Sequence, residues 1–223
     1  MKTLIGISLA SLALSTAHPA LADDQGYRFQ GYQCKNPQGM IGFNPAFLGE
    51  CGNIMGMSFP NRSYVSGTHF MGSRMVRADV QNLVAENADF SYSDLSQSNF
   101  SGAHVRGSNF ESVRMSGIKA NFRADFQDCN FSRVYGTCSD FNMAQLRHVN
   151  FNGANFQNSN FRDADFYFAD MTFADFSGSD FRGADLVFAD IFATTLTGAI
   201  YDSFTRLPFD RAEATRLGMI FYP

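Results

Sequence analysis

Apolar residues return along this chain at every fifth position. The series Phe126, Phe131, Gly136, Phe141, Leu146, Phe151, Phe156, Phe161, Phe166, Met171, Phe176, Phe181, Leu186, Ile191, Leu196, Tyr201 keeps that step throughout. Upstream the same step runs one residue out of phase, from Val65 through Phe70, Phe90, Phe100 and Phe110 to Ala120. Of these 28 positions 27 are apolar and 13 are Phe, in a chain that is 45% hydrophobic, so the pattern is not a composition effect. A second column lies two residues earlier and holds small residues, among them Ala88, Ala103, Ala124, Ala144, Ala164, Ala174 and Ala184. Asp or Asn sits between the columns, as in Ala164-Asp165-Phe166 and Ala174-Asp175-Phe176.

A helix cannot use a step of five. At 3.6 residues per turn the apolar column would wind around the cylinder. A long strand cannot use it either, because an odd step swaps faces at each repeat. A chain that turns a corner every five residues can. The small and large residues, two apart, then point inwards together, and the Asp or Asn between them points out. Four such units close a square coil of 20 residues, and coils stack at about 4.8 Å. The frame slips near Ala120-Asn121-Phe122, which predicts one corner with an extra residue. At Leu83/Ala85, Ile118/Ala120 and Val134/Gly136 the large and small slots trade, as conserved interior volume requires.

The unit A-[D/N]-[F/L]-x-x resembles the pentapeptide-repeat family. The resemblance implies an all-β fold, a right-handed quadrilateral β-helix over residues 63–203 in about seven coils, roughly 34 Å long. It says little about function.

Residues 1–22 read as a signal peptide: Lys2, an apolar stretch from Leu4 to Ala17, and a small-x-small site at Ala20-Leu21-Ala22. The competing reading is an uncleaved anchor. An exported chain, periplasmic or secreted, meets oxidising conditions, so Cys34 and Cys51 are expected to pair and staple an N-terminal cap over residues 23–62. Metal binding competes, but two cysteines without a nearby His make a poor zinc site. Cys129 falls in the small inward column and is expected to be a buried thiol; a Cys129–Cys138 bridge would need distortion at Gly136. At the other end, over residues 204–223, Asp210-Arg211-Ala212-Glu213 is a capping-box pattern. It predicts a short helix over 211–217, with Phe209 and Ala214 placed for a staple contact and Gly218 ending it.

Candidate chemistry is sparse. The net charge is −4, and mild acidity argues against direct nucleic-acid binding. Asp165 with Asp185, and Asp170 with Asp190, are 20 apart and should stack on common faces. Bonds to turn amides make this tolerable, with calcium binding as the alternative. His69, His104 and His148 share no face, and no G-x-S-x-G or phosphate-binding glycine loop is present. No metal, cofactor or catalytic residue is expected. The candidate binding residues are apolar ones at corners: Phe168 and Phe188 one coil apart, Tyr167 and Val187 beside them, and Phe173 and Phe192 near the next edges. Packing under the N-terminal segment, or in a homodimer, is the competing explanation.

The expected function is that of an exported, non-enzymatic scaffold or protein-binding module. Its partner would be a protein or an envelope component, with no nucleic acid and no membrane span. The alternative comes from the family resemblance: some cytoplasmic members present an acidic rod to DNA gyrase, and residues 78–200 carry 15 acidic and 8 basic side chains. A signal peptide speaks against that role. An enzyme acting on envelope polysaccharide is the third reading, and it would need carboxylates converging in a cleft.

Overall fold

The computed structural model describes residues 28–29, 32–33, 55–56, 58–59 and 62–223. The expected signal peptide and both Cys34 and Cys51 lie outside the described residues. Near the N-terminus, β1 (Arg28–Phe29) pairs antiparallel with β2 (Tyr32–Gln33).

The body of the chain is a coil held by parallel single-residue bridges. Asp89 pairs with Asn109, Asn130 with Asn150 and Asp165 with Asp185, always one turn of 20 or 21 residues apart. Among the described residues, thirty bridge positions run from Ser58 to Arg206, four to a turn, which makes about seven and a half turns. The bridge residue of each repeat is the Asp/Asn position. On either side of it the small and large slots point inwards: Ala88 and Phe90, Ala164 and Phe166, Leu83 and Ala85 are all buried.

Each repeat ends in a tight turn. The carbonyl of the large residue accepts from the amide three residues on, as Phe100 does from Ala103 at 2.9 Å. The residue before that amide has positive φ, for example Gly102 at 65° and Asp163 at 57°. Such turns favour Gly or Asn there, yet many other side chains adopt the conformation in this chain. The expected extra residue is Asn121. Phe122 and Arg123 after it both have positive φ, at 54° and 60°, and Ala124 donates to the Asn121 carbonyl at 3.2 Å. Two further steps of six residues, Ser58 to Tyr64 and Ile200 to Arg206, fall where the sequence repeat fades and leave no mark in it.

The Asp/Asn side chains hold the corners. Oδ1 of Asp165 accepts from the Tyr167 amide at 3.0 Å, that of Asp170 from Thr172 at 2.9 Å, and that of Asn150 from Asn152 at 2.9 Å. In the column from Asp89 to Asn150 the Asn side-chain amides also bond along the rod. Asn150 donates to Asn130 at 3.2 Å, Asn130 to Asn109 at 3.1 Å and Asn109 to Asp89 at 3.3 Å.

Inside, Phe rings fill the coil. Phe70 and Phe90 stack at 4.9 Å, as do Phe90 and Phe110, while Phe126 and Phe131 meet edge to face at 5.4 Å. Small slots that hold Ser bury their hydroxyls. Ser139, Ser159 and Ser179 form a ladder. The hydroxyls of the last two each accept from the amide of the serine below at 3.1 Å, and all three hydroxyls donate to a carbonyl of the preceding turn. Cys129 occupies such a slot and donates to the Val105 carbonyl at 3.1 Å; burial pushes its thiol pKa well up. Cys129 and exposed Cys138 are both free thiols. The volume trade at Gly136 is completed from the next turn rather than by Val134 alone. A Cβ on Gly136 would run into Cε1 and Cδ1 of Phe156, the second at 2.8 Å.

The C-terminus closes the coil. β3 (Ile200–Tyr201) pairs in parallel with β4 (Ile220–Phe221), again 20 residues on. Between them the helix α1 (Arg211–Arg216) stands in for part of the turn. It ends one residue before the expected limit, with Leu217 as its C-cap. Asp210 caps the other end by accepting from the Glu213 amide at 2.9 Å. The expected reciprocal half of the capping box gives way to an ion pair, since the Glu213 carboxylate is taken by Arg216. Gly218, at φ 78°, follows the C-cap. It donates to Thr215 and Met219 donates to Ala214, both at 3.0 Å, which is a Schellman closure. Ala214 is fully buried, and Phe209 packs half-buried against the core. Among the described residues no helix is long and apolar enough to cross a membrane.

Gly136→Ala should destabilise the coil by about 1–3 kcal/mol, because the Phe156 ring cannot yield inside a packed tube; denaturant unfolding checks this. A second expectation concerns acid. Burial works to raise the pKa of Asp175, Asp180 and Asp202, but hydrogen bonds outweigh it and all three lie below the ordinary value. The bonds come from Ser177 and Gln157 to Asp175, from Arg182 to Asp180, and from Gly183, Phe204 and Thr205 to Asp202. A depressed folded-state pKa stabilises above the unfolded value of about 3.9 and is lost as pH falls through the folded one. The melting temperature should therefore begin to drop only below about pH 4, and less steeply in Asp180→Asn.

Candidate functional site

Outward-pointing groups divide into faces, which carry the Asp/Asn columns, and corners. Three of the six apolar corner residues named from sequence, Phe168, Phe173 and Phe188, occupy the turn position of positive φ, at 57°, 58° and 61°. That conformation costs a residue with a Cβ about 1–2 kcal/mol. At the same place in neighbouring repeats stand Asp163, Gly178 and Gly183.

Phe168 and Phe188 stack at 5.0 Å with 18° between their planes, as the 20-residue step requires. Tyr167 packs edge-on to both, at 4.6 Å and 5.5 Å. Val187 is half-buried beside them. Phe173 and Phe192 form a separate edge-to-face pair at 5.7 Å. The two groups are not one patch. They mark the two edges of a single face, whose centre carries Asp170 and Asp190, bridged one turn apart. Phe168, Phe188, Phe173 and Phe192 remain 49%, 60%, 61% and 68% exposed despite these contacts.

Reasoning on apolar residues alone misses two neighbours. His148 lies under Phe168 with its ring nearly parallel at 5.6 Å, and the Arg147 guanidinium sits 4.7 Å from the centre of the Tyr167 ring. The signal for both is the same 20-residue step, which places 147 and 148 directly below 167 and 168. Exposed aromatics are also not confined to this region. Phe122 and Phe204 are exposed as well, each on a six-residue step, and neither has a ring partner among the described residues.

The carboxylates differ in their partners. Asp185 is paired with Arg206 at 2.6 Å, Asp165 with Arg147 at 3.5 Å, Asp180 with Arg182 at 2.6 Å and Asp128 with Arg106 at 2.8 Å. Asp170 and Asp190 have no such cation among the described residues. They are held by the amides of Thr172 and Phe192, at 2.9 Å and 3.0 Å. His69 and His104 belong to different faces and His148 to a corner. Among the described residues no three His, Cys, Asp or Glu side chains gather as metal ligands would.

A four-sided parallel coil with a five-residue side and an Asp/Asn column along its faces defines a class of solenoid. The family profile for pentapeptide repeats matches in 8 copies, over residues 84–117, 119–153, 144–183 and 159–198. The chain belongs to the pentapeptide repeat family, and its fold is a right-handed β-helix. Among solved structures it is similar to HetL of the cyanobacterium Nostoc, a pentapeptide repeat protein involved in heterocyst differentiation regulation. The identity is 17%, the match covers 75% of this chain and 84% of that one, and the TM-score is 0.30. A pentapeptide repeat protein of the Arabidopsis thaliana thylakoid lumen is 19% identical, with coverage of 62% and 76% and a TM-score of 0.35. Full-length QnrB1, a plasmid-mediated fluoroquinolone resistance protein, is 16% identical, with coverage of 76% and 91% and a TM-score of 0.28. No curated protein matches the chain.

Replacing Phe168 or Phe188 by Asn should leave stability within about 1 kcal/mol of the parent, because relief of the positive-φ cost offsets the lost ring stack. Thermal unfolding of the two variants checks this. A drop of several kcal/mol would mean the rings serve the fold.

Proposed function

We propose that this protein is an exported, non-enzymatic scaffold whose rigid β-helical rod binds a protein or envelope partner through the aromatic corners formed by Tyr167, Phe168, Phe173, Val187 and Phe188. The observation that carries this is the exposed stack of Phe168 on Phe188, set in a backbone conformation that disfavours aromatic side chains. Nothing in packing the coil calls for Phe there, since Gly and Asp fill the same place in adjacent repeats. Strained, exposed apolar groups fit a recognition role. The geometry also supports binding over catalysis, because the carboxylates stand in columns along flat faces rather than converging.

A second reading is a DNA-mimicking modulator of a topoisomerase, acting from the cytoplasm. The stacked Asp165/Asp185 and Asp170/Asp190 columns favour it. Against it, Arg147 and Arg206 neutralise the first column. Export separates the two readings. The unreduced intact mass of protein from producing cells should correspond to a chain starting at Asp23 and lacking the hydrogens of one disulfide. A full-length reduced mass would overturn export and put the topoisomerase reading first. Binding is tested by a photo-crosslinking side chain in place of Phe188, with Asn158, at the same turn position on another corner, as the control. A discrete adduct from the first position alone is the expected result; equal adducts from both would remove the aromatic corner from the proposal.

A further inference from the structure

The face between the two aromatic edges also specifies what it can accept. Phe168 and Phe188 line one edge, Phe173 and Phe192 the other, and Asp170 and Asp190 stand between them. The side is three extended residues wide, roughly 10 Å. The carboxylates are one coil spacing apart, about 4.8 Å. Each gives one oxygen to a turn amide and leaves the other without a partner among the described residues. Lower on the same face the column is Asn150, Asn130 and Asn109, so three neutral turns separate this pair of carboxylates from Asp89, the next acid in line.

That arrangement excludes most partners. A wholly apolar surface laid across the aromatic edges would strip water from two carboxylates and return nothing. An anionic surface, such as an acidic lipid bilayer, would be repelled. A partner with a cation at its centre and apolar groups on both flanks satisfies every exposed group at once. We propose that this face binds a polypeptide segment that places a Lys or Arg over Asp170 and Asp190 and apolar side chains against the two phenylalanine pairs. The proposal rests on the aromatic corners being a protein-binding surface and adds the chemistry of the partner.

The test pans the full chain against a phage-displayed random heptapeptide library and then measures an enriched synthetic peptide by fluorescence anisotropy. Two double variants serve. Asp170→Asn with Asp190→Asn keeps the turn-amide bonds, as Asn150 does in the turn below. Phe168→Asn with Phe188→Asn removes one aromatic edge at positions whose φ suits Asn. The expected consensus has a basic residue between apolar ones. Its affinity should fall about tenfold or more in either double variant, and should weaken with added salt in the parent. Peptides that need the phenylalanines but carry no basic residue, or that ignore the Asp→Asn change, would overturn the cationic partner and leave the aromatic surface standing. Enrichment that is equal on the Phe→Asn variant, or absent on the parent, would overturn both.

Discussion

The whole molecule depends on one steric fact: a tube with four short sides has room for about one large side chain per side, and that side chain must meet its neighbours above and below. Phe meets this requirement well. A flat ring stacks on the ring one turn away and turns its edge to those on adjoining sides, as Phe90 does with Phe110 and Phe100. The small slot two residues earlier leaves space for the ring to lie in. Ser in that slot brings a hydroxyl that must be satisfied, and the bonds of Ser139, Ser159 and Ser179 show how: each hydroxyl crosses to the turn beneath. The interior therefore fixes the five-residue step, and the step fixes which exterior residues become neighbours.

That logic explains what is legible in the sequence. The inward columns are periodic because they answer to a repeating volume, so their positions, the outward Asp column and the extra residue at Asn121 can be read directly. Gly136 shows the boundary. Its gap looks like a within-repeat trade with Val134, but the atoms that occupy it belong to Phe156, 20 residues on. Neighbours separated by a whole turn become visible only once the step is applied to every position. For the candidate site, the stacking of Phe168 on Phe188 is legible by that means. The same step, applied to polar residues, yields His148 and Arg147 beneath the aromatic group. The division of the aromatics into two edges follows from the five-residue step as well, since 168 and 188 precede the bridge positions 170 and 190 while 173 and 192 follow them. What a list of apolar residues leaves out is the pair of carboxylates between the two edges.

The ends obey different rules. At the C-terminus another ordinary turn would leave the last core residues open to water. The chain instead lays α1 over the core and then restores the ladder, Ile200 with Ile220, at the spacing of an ordinary turn. The Asp210 cap at one end and the Schellman turn at the other satisfy backbone groups of this short helix without a strand above it. Six residues suffice because Ala214, small and buried, lets the helix lie close. Local sequence shows the cap at Asp210 but not the fate of Glu213, since two partners, a backbone amide and Arg216, compete for one carboxylate.

The corners are where this fold leaves freedom, and the chain uses it unevenly. A corner side chain at the positive-φ position points away from the core, so its identity is limited chiefly by the cost of that φ. Gly escapes the cost and Asn or Asp reduces it. Gly178, Gly183 and Asp163 follow that preference, and elsewhere the position holds flexible polar side chains such as Arg133 and Gln97. Phe168, Phe173 and Phe188 run against it three times within about one turn. They also border Asp170 and Asp190, two of the column carboxylates that have no guanidinium partner among the described residues. A group unfavourable for its backbone and a charge pair unfavourable to itself thus occur on the same short stretch of one face. Both become favourable when a complementary surface covers them, and that shared condition is what supports the binding role proposed for this face rather than for the rod as a whole.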